Sequence, residues 1–302
     1  MVPHAVTPSI ALETLLENLV DYAGLFPPAA LDMAAAVAEF DRASRSANRR
    51  VLARFVVPAG RLEEFIRAME QHPEARGWRL SALIGEDLPG DLLHIAAANA
   101  FFGRNGSGHE VDCVECRAAT PQQATERLTL IPATFLRFVE FAASAEPGPF
   151  LDAIEAADAF AKLRMGGITA GAFPPAAHVA RFLEACIARR VAFKATAGLH
   201  HPLRGAYRLT YAPDADHAGM YGYLNLFLAA ALLRAGGSEA ETHALLMEHE
   251  PSAFRITDDA IHWGAHRFST SALAELRRET ALGVGSCSFQ EPLDDLHALG
   301  FR

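Results

Sequence analysis

Apolar and polar positions along the chain follow two alternating periods. A helical stripe of Leu12, Leu15, Leu16 and Leu19 predicts an opening helix over 7–18, capped by Thr7 or Ser9. Short apolar runs bounded by turn residues then alternate with segments of helical period. Strands are predicted over 19–26, 51–57, 78–85, 110–117, 135–142, 162–167, 191–197 and 253–257. Helices follow them in turn over 27–44, 61–71, 92–102, 121–127, 150–160, 176–189, 220–235 and 271–279. Eight strand–helix units imply parallel strands with crossover helices. Within 302 residues a closed (β/α)8 TIM barrel of the α/β class fits better than an open sheet. No Gly-x-Gly-x-x-Gly follows the first strand, which lowers the dinucleotide-binding alternative. No linker splits the chain, so residues 1–302 read as a single barrel domain. It carries an N-terminal helix and a C-terminal extension, a glycine-rich loop from Gly283 and a short helix begun at Glu291-Pro292. That extension is expected to seal a barrel end or to meet another subunit.

Within this pattern one stretch breaks the rule that barrel interiors are apolar. Residues 191–205 begin as a buried strand holding Lys194 and end in a turn with His200, His201 and Arg204. A charged amine in a buried strand is costly unless it is paired or made neutral. Lys162 occupies the equivalent place one strand earlier. These two are the whole lysine content, against 25 arginines. Arginine keeps its proton in a protein and lysine can lose it, so two lysines surviving in strand-like segments point to positions that need an amine.

Barrel enzymes work at the C-terminal ends of their strands. The ionisable residues expected there are Arg54, Glu115, Arg117, Arg137, Glu140, Lys162, Arg164 and Lys194. Alternation puts Lys162 with Arg164 on one face, Lys194 with Thr196, and Glu115 with Cys113 and Arg117. Inward lysines on adjacent strands would lower each other's pKa, and a neutral amine forms a Schiff base with a carbonyl. Glu115 and Glu140 are the expected proton carriers, or else partners of the two lysines in a structural ion network. Arg54, Arg164 and Arg204, with Thr196, His200 and His201, are the expected substrate contacts. The surplus of cations at strand ends implies a small anionic substrate.

Lys194-Ala-Thr-Ala-Gly198 after an apolar strand resembles the strand-seven Lys-Ala-Ser-Gly-Gly signature of deoxyribose-phosphate-aldolase-like class I aldolases. The resemblance implies a TIM barrel in which a strand-six lysine forms the Schiff base and a second lysine tunes it. Lys162 before Gly166-Gly167 resembles the strand-six position, although Lys-Leu-Arg-Met-Gly-Gly stands where that family has Lys-Thr-Ser-Thr-Gly. No counterpart of the family's strand-four acid stands out. The leading expectation is a lyase of the aldolase type, with Lys162 or Lys194 as nucleophile and no cofactor. Two alternatives share the barrel: a hydrolase or lyase with a divalent metal at Glu115, Glu140 and His200 or His201, and a non-catalytic binder of a small acid or sugar.

Composition adds bounds. A hydrophobic fraction of 51% suffices for a large core, and a net charge of −9 argues against nucleic acid or an anionic membrane as partner. The longest apolar stretch, 220–233, is too short to span a bilayer and holds Asn225. The N-terminus has neither a basic region nor an apolar signal core, so a cytoplasmic location is expected. Cys113 and Cys116 form a Cys-x-x-Cys, but their strand-like surroundings would turn them to opposite faces, and buried thiols are expected. A homodimer is expected from the frequency of oligomeric barrels and the apolar tail. The mixed polar and aromatic segment 201–218 reads as a lid. Residues 23–30, Ala-Gly-Leu-Phe-Pro-Pro-Ala-Ala, are echoed at 170–177 as Ala-Gly-Ala-Phe-Pro-Pro-Ala-Ala. The echo reads as a strand-to-helix turn used twice, or as paired walls beside a ligand.

Overall fold

Seven of the apolar runs become barrel strands where the pattern puts them. In the computed structural model, which describes residues 9–301, they are β1 Val20–Tyr22, β2 Leu52–Pro58, β3 Arg79–Leu83, β4 Glu110–Arg117, β5 Leu136–Glu140, β6 Phe160–Arg164 and β7 Phe193–Thr196. Each pairs in parallel with the next. Helix α1 Ile10–Leu16 starts at Ser9, whose side chain accepts the Leu12 N–H; the alternative cap Thr7 lies outside the described residues. The crossover helices are α2 Met33–Ser44, α3 Leu62–Met69, α4 Leu88–Asn105, α5 Pro121–Leu130, α6 Pro147–Ala156 and α7 Ala176–Arg189. Asp32, Asp87 and Thr120 cap α2, α4 and α5 by accepting a backbone N–H three residues on. The Asp87 cap starts α4 four residues earlier than its apolar period alone indicates.

The chain departs from the expected plan after β7. The segment read as a lid folds into an antiparallel hairpin, β8 Gly205–Arg208 with β9 His217–Met220. Helices α8 Tyr223–Arg234 and α9 Glu239–Met247 follow; α9 was not foreseen. Residues 253–257, expected to be the eighth barrel strand, instead contribute β10 Phe254–Ile256 to a sheet outside the barrel. There β10 pairs antiparallel with β11 Ala260–Trp263, and β11 with β12 His266–Ser269. Two tight turns bring these partners together locally, so the β10 backbone is satisfied without the barrel. After α10 Thr270–Glu279, strand β13 Ala281–Ser286 enters between β7 and β1 and closes the ring.

The true eighth strand therefore includes the glycines read as loop. Gly283 is in register with Lys194 and Gly285 with Thr196. A Cβ on Gly285 would come within 2.7 Å of Thr196 Oγ1, so the neighbouring wall requires glycine there. The C-terminal extension is α11 Glu291–Ala298. It lies against the barrel mouth, where Tyr223 donates to the Pro292 carbonyl at 3.1 Å. Among the described residues no helix is long and apolar enough to cross a membrane.

One flank of the barrel is held by interlocked rings. Phe55 is fully buried and meets Tyr22, Phe40 and Phe65 at centroid separations of 5.8, 5.4 and 5.1 Å, and Trp78 and Phe102 extend the cluster. Removing such a ring loses its transfer free energy and leaves a cavity. Phe55→Ala is expected to lower stability by about 3–5 kcal/mol in urea unfolding. Leu93→Ala, at a position 72% exposed on α4, should change it by less than about 0.5 kcal/mol.

Candidate active site

Seven of the eight barrel strands aim side chains or bare backbone at one cavity of about 580 Å3. Its wall includes Val56 of β2, Leu83 of β3, Glu115 and Arg117 of β4, and Glu140 of β5. Lys162 and Arg164 of β6, Lys194 and Thr196 of β7, and Gly285 of β13 complete it, with Ala23 just past β1. Most of these positions fall at the C-terminal ends of their strands, where barrel enzymes build their sites, with Lys162 and Lys194 set deeper. The glycine strand adds no side chain here, which leaves room for the long charged groups opposite.

Those groups form one continuous ion network. Glu140, Lys162 and Lys194 are neighbours in the strand register. Glu115 lies between the two amines: Oε1 is 2.5 Å from Lys194 Nζ and Oε2 is 2.6 Å from Lys162 Nζ. Asp21 of β1 takes the other side of Lys194 at 2.5 Å, and Ser81 of β3 donates to Glu115 Oε1 at 2.6 Å. Glu140 Oε2 stands 2.9 Å from Lys162 Nζ, and Oε1 accepts from Arg164 Nε at 2.9 Å and Arg117 Nε at 3.1 Å. Buried ions are tolerated only when paired in this way, because each unpaired one carries a desolvation cost of several kcal/mol.

The two amines are held differently. Lys194, 2% exposed, donates aligned hydrogen bonds to Asp21 and Glu115. Lys162 sits within ion-pair distance of Glu115 and Glu140 but off the hydrogen-bonding directions. Among the described residues Glu140 Oε2 consequently makes no hydrogen bond. Burial alone would lower the Lys194 pKa; Asp21 and Glu115 outweigh it and hold the ammonium above its ordinary value. For Lys194 this reverses the expectation of a depressed amine, because Glu115 stands between it and Lys162. Burial would raise both glutamates. The charges of Lys162 and Lys194 hold Glu115 well below the usual carboxylate range, and those of Lys162 and Arg164 hold Glu140 at about 2. His200 also lines the cavity. Burial, then His201, lowers its pKa to about 4, and its Nδ1 is 3.0 Å from Ser286 Oγ.

Of the residues singled out from the sequence, Lys162, Lys194, Glu115, Glu140, Arg164, Thr196 and His200 share the cavity wall. Three do not. His201 faces an adjoining chamber of about 310 Å3, paired with Asp295 at 2.5 Å and stacked on Tyr207. Arg204 lies over the Tyr221 ring. Arg54 lies toward the N-terminal ends of the strands, bound through Nε and Nη2 to Asp112 at 2.8 Å. Its alternation is right and its depth is wrong, because a strand's first turns belong to the closed end of the barrel. Asp21 and Ser81 were missed. Asp21 was findable: it interrupts Val20-Asp21-Tyr22 just as Lys194 interrupts its own apolar run.

Among the described residues no three His, Cys, Asp or Glu side chains gather as a metal-binding set. Glu115, Glu140 and His200 do not converge; the glutamate oxygens face ammonium and guanidinium groups. Cys113 and Cys116 are free and buried, and burial raises the thiols to about 12 and about 11. Compared with known protein families, curated proteins and solved structures, the chain matches none. The likeness to aldolases therefore rests on the two lysine segments alone.

The network has a definite acid response. Glu140 has a lower pKa folded than its ordinary 4.5, so the unfolded chain binds more protons between 4.5 and about 2. Its contribution is complete above 4.5 and is lost as pH falls toward about 2. Lys194, raised, contributes throughout the range below its ordinary 10.5. Urea stability should be nearly flat from these groups between pH 6 and 9 and fall below 4.5. In Glu140→Gln that fall should be shallower; an unchanged slope would contradict the pairing.

Proposed function

We propose that the chain is a lyase of the aldolase type, cleaving or forming a carbon–carbon bond in a small anionic carbonyl compound through a Schiff base on Lys162. The observation that carries this reading is the unequal holding of two adjacent amines around one shared carboxylate. Lys194 keeps its proton between two aligned acids. Its fixed charge competes for Glu115 and weakens that carboxylate's hold on Lys162. Glu140 likewise divides itself among Lys162, Arg164 and Arg117. Lys162 is thus the amine that can be released.

The chemistry then balances within the cage. Lys162 passes a proton to Glu140, whose proton affinity rises as the adjacent charge disappears. The neutral nitrogen attacks the carbonyl carbon, Glu140 returns its proton to the carbinolamine hydroxyl, and that hydroxyl leaves as water to give a protonated imine with Glu140 again a carboxylate. That imine is again a cation between Glu115 and Glu140, so the groups that held the ammonium stabilise it. Cleavage of the bond next to the imine carbon leaves its electron pair in an enamine and releases a carbonyl fragment. Glu140 carries the hydroxyl proton away, the enamine carbon is reprotonated, and water releases the second product. Glu115 on β4 stands where the resemblance calls for a strand-four acid, which the sequence had not singled out for that part.

The test is reductive trapping. The chain has only Lys162, Lys194 and its terminus as amines, so an adduct is readily located. Borohydride reduction with short oxo acids and aldehydes should label Lys162, and Lys162→Arg should remove the label. Glu140→Gln should lower turnover by roughly 10²–10⁴-fold. Labelling of Lys194 or the terminus instead, or of no amine with any probe, would sink the proposal.

A further inference from the structure

A second chamber of about 740 Å3 adjoins the lysine cavity, and the two share Arg117, Glu140 and Arg164 as a common wall. Both arginines bond through Nε to the same oxygen, Glu140 Oε1. Among the described residues their terminal Nη groups make no hydrogen bond. The Arg117 side chain is 71% exposed and that of Arg164 41%. His178, in the first turn of α7, lies on the same chamber. Two guanidinium groups thus stand side by side on a hollow, with their planar donor ends free.

The repeated Ala-Gly-x-Phe-Pro-Pro segment lines both spaces. The first copy brings Phe26 and Pro27 to the lysine cavity; the second brings Phe173 and Pro174 to the outer chamber. The Phe173 ring occupies the space a side chain on Gly166 or Gly198 would need, since a Cβ there would fall 2.4 or 2.7 Å from it. The glycines after Lys162 and Lys194 therefore let this ring close the loops beside the chamber. Both copies are strand-to-helix turns, between β1 and α2 and between β6 and α7, and each lines a space at the barrel mouth.

We infer that Arg117 and Arg164 form an oxyanion subsite in the outer chamber, built for a substrate carboxylate separated by several bonds from the carbonyl that meets Lys162. The subsite itself rests on its own geometry; its spacing from the carbonyl rests on the Lys162 Schiff base. Guanidinium donors match a carboxylate or a phosphate. The charge balance favours the singly charged group: Lys162, Lys194, Arg117 and Arg164 exceed Asp21, Glu115 and Glu140 by one. Glu140 also acts as a spacer, with Lys162 on Oε2 and the arginines on Oε1. An oxyanion on the Nη groups lies on the order of 5–10 Å from Lys162 Nζ. A 2-oxo acid, whose carboxylate adjoins its carbonyl, reaches only about 4 Å. A 4-oxo or 5-oxo acid spans the gap.

Propanoate has no carbonyl, so its binding tests the subsite apart from any imine. Saturation-transfer NMR should give a propanoate Kd that weakens at least tenfold in Arg117→Gln and in Arg164→Gln. Arg117 is exposed enough to be replaced without disturbing the core. Unchanged binding in both variants, or none in the wild type, overturns the subsite. Inorganic phosphate binding tenfold tighter than propanoate, and equally dependent on the arginines, overturns the carboxylate assignment. In reductive trapping, 4-oxopentanoate should label Lys162 at least tenfold faster than 2-oxobutanoate, with the ratio collapsing toward one in Arg117→Gln. Equal rates in the wild type overturn the spacing. Arginine-dependent propanoate binding with no trapped adduct leaves the subsite standing and removes the Schiff base.

Discussion

One buried carboxylate governs this site. Glu115 touches both lysine nitrogens, and each of its oxygens serves a different amine. Burial alone would drive Glu115 to its neutral form, and the two ammonium charges beside it keep it ionised. Asp21 and Glu140 extend the pairing outward on either side. The interior is therefore polar yet electrically almost closed, with its surplus charge displaced to the arginines at the mouth.

Architecture makes room for this arrangement. A barrel interior is ordinarily packed with branched apolar side chains. Here β13 presents Gly283 and Gly285 beside Lys194 and Thr196, so the ring closes with backbone at the one strand where a side chain would fill the hollow. The aromatic cluster around Phe55 lies outside the ring and secures the flank of β1 to β3, away from the ions. Packing and chemistry thus occupy opposite faces of the same strands.

Much of this was legible in the chain because strand alternation has a period of two. Inward charges on β4 to β7 declared themselves as interruptions of apolar runs, and the scarcity of lysine marked Lys162 and Lys194. Alternation carries no depth, which is why Arg54 was grouped with residues at the other end of the strands. Pairing of the lysines with Glu115 and Glu140 was one reading of the sequence, but the position of Glu115 between both amines, and the consequent rise at Lys194, emerged only in three dimensions. The misplaced eighth strand has a plain cause. Ala-Leu-Gly-Val-Gly-Ser reads as loop because glycine weakens strand propensity, whereas its glycines answer to crowding by Leu19 and Thr196. Residues 253–257 have the stronger strand pattern and use it in a local antiparallel sheet.

The network itself is open to direct observation, because protein labelled with ¹⁵N-lysine carries only two labelled side-chain nitrogens. The resonance that survives in Lys162→Arg belongs to Lys194. Its pH titration by NMR tests whether a shared acid holds that amine as a permanent cation. The account predicts an ammonium signal in slow exchange with water that is still protonated at pH 10.5, the ordinary lysine value. A Lys194 nitrogen that deprotonates at or below that value would contradict it.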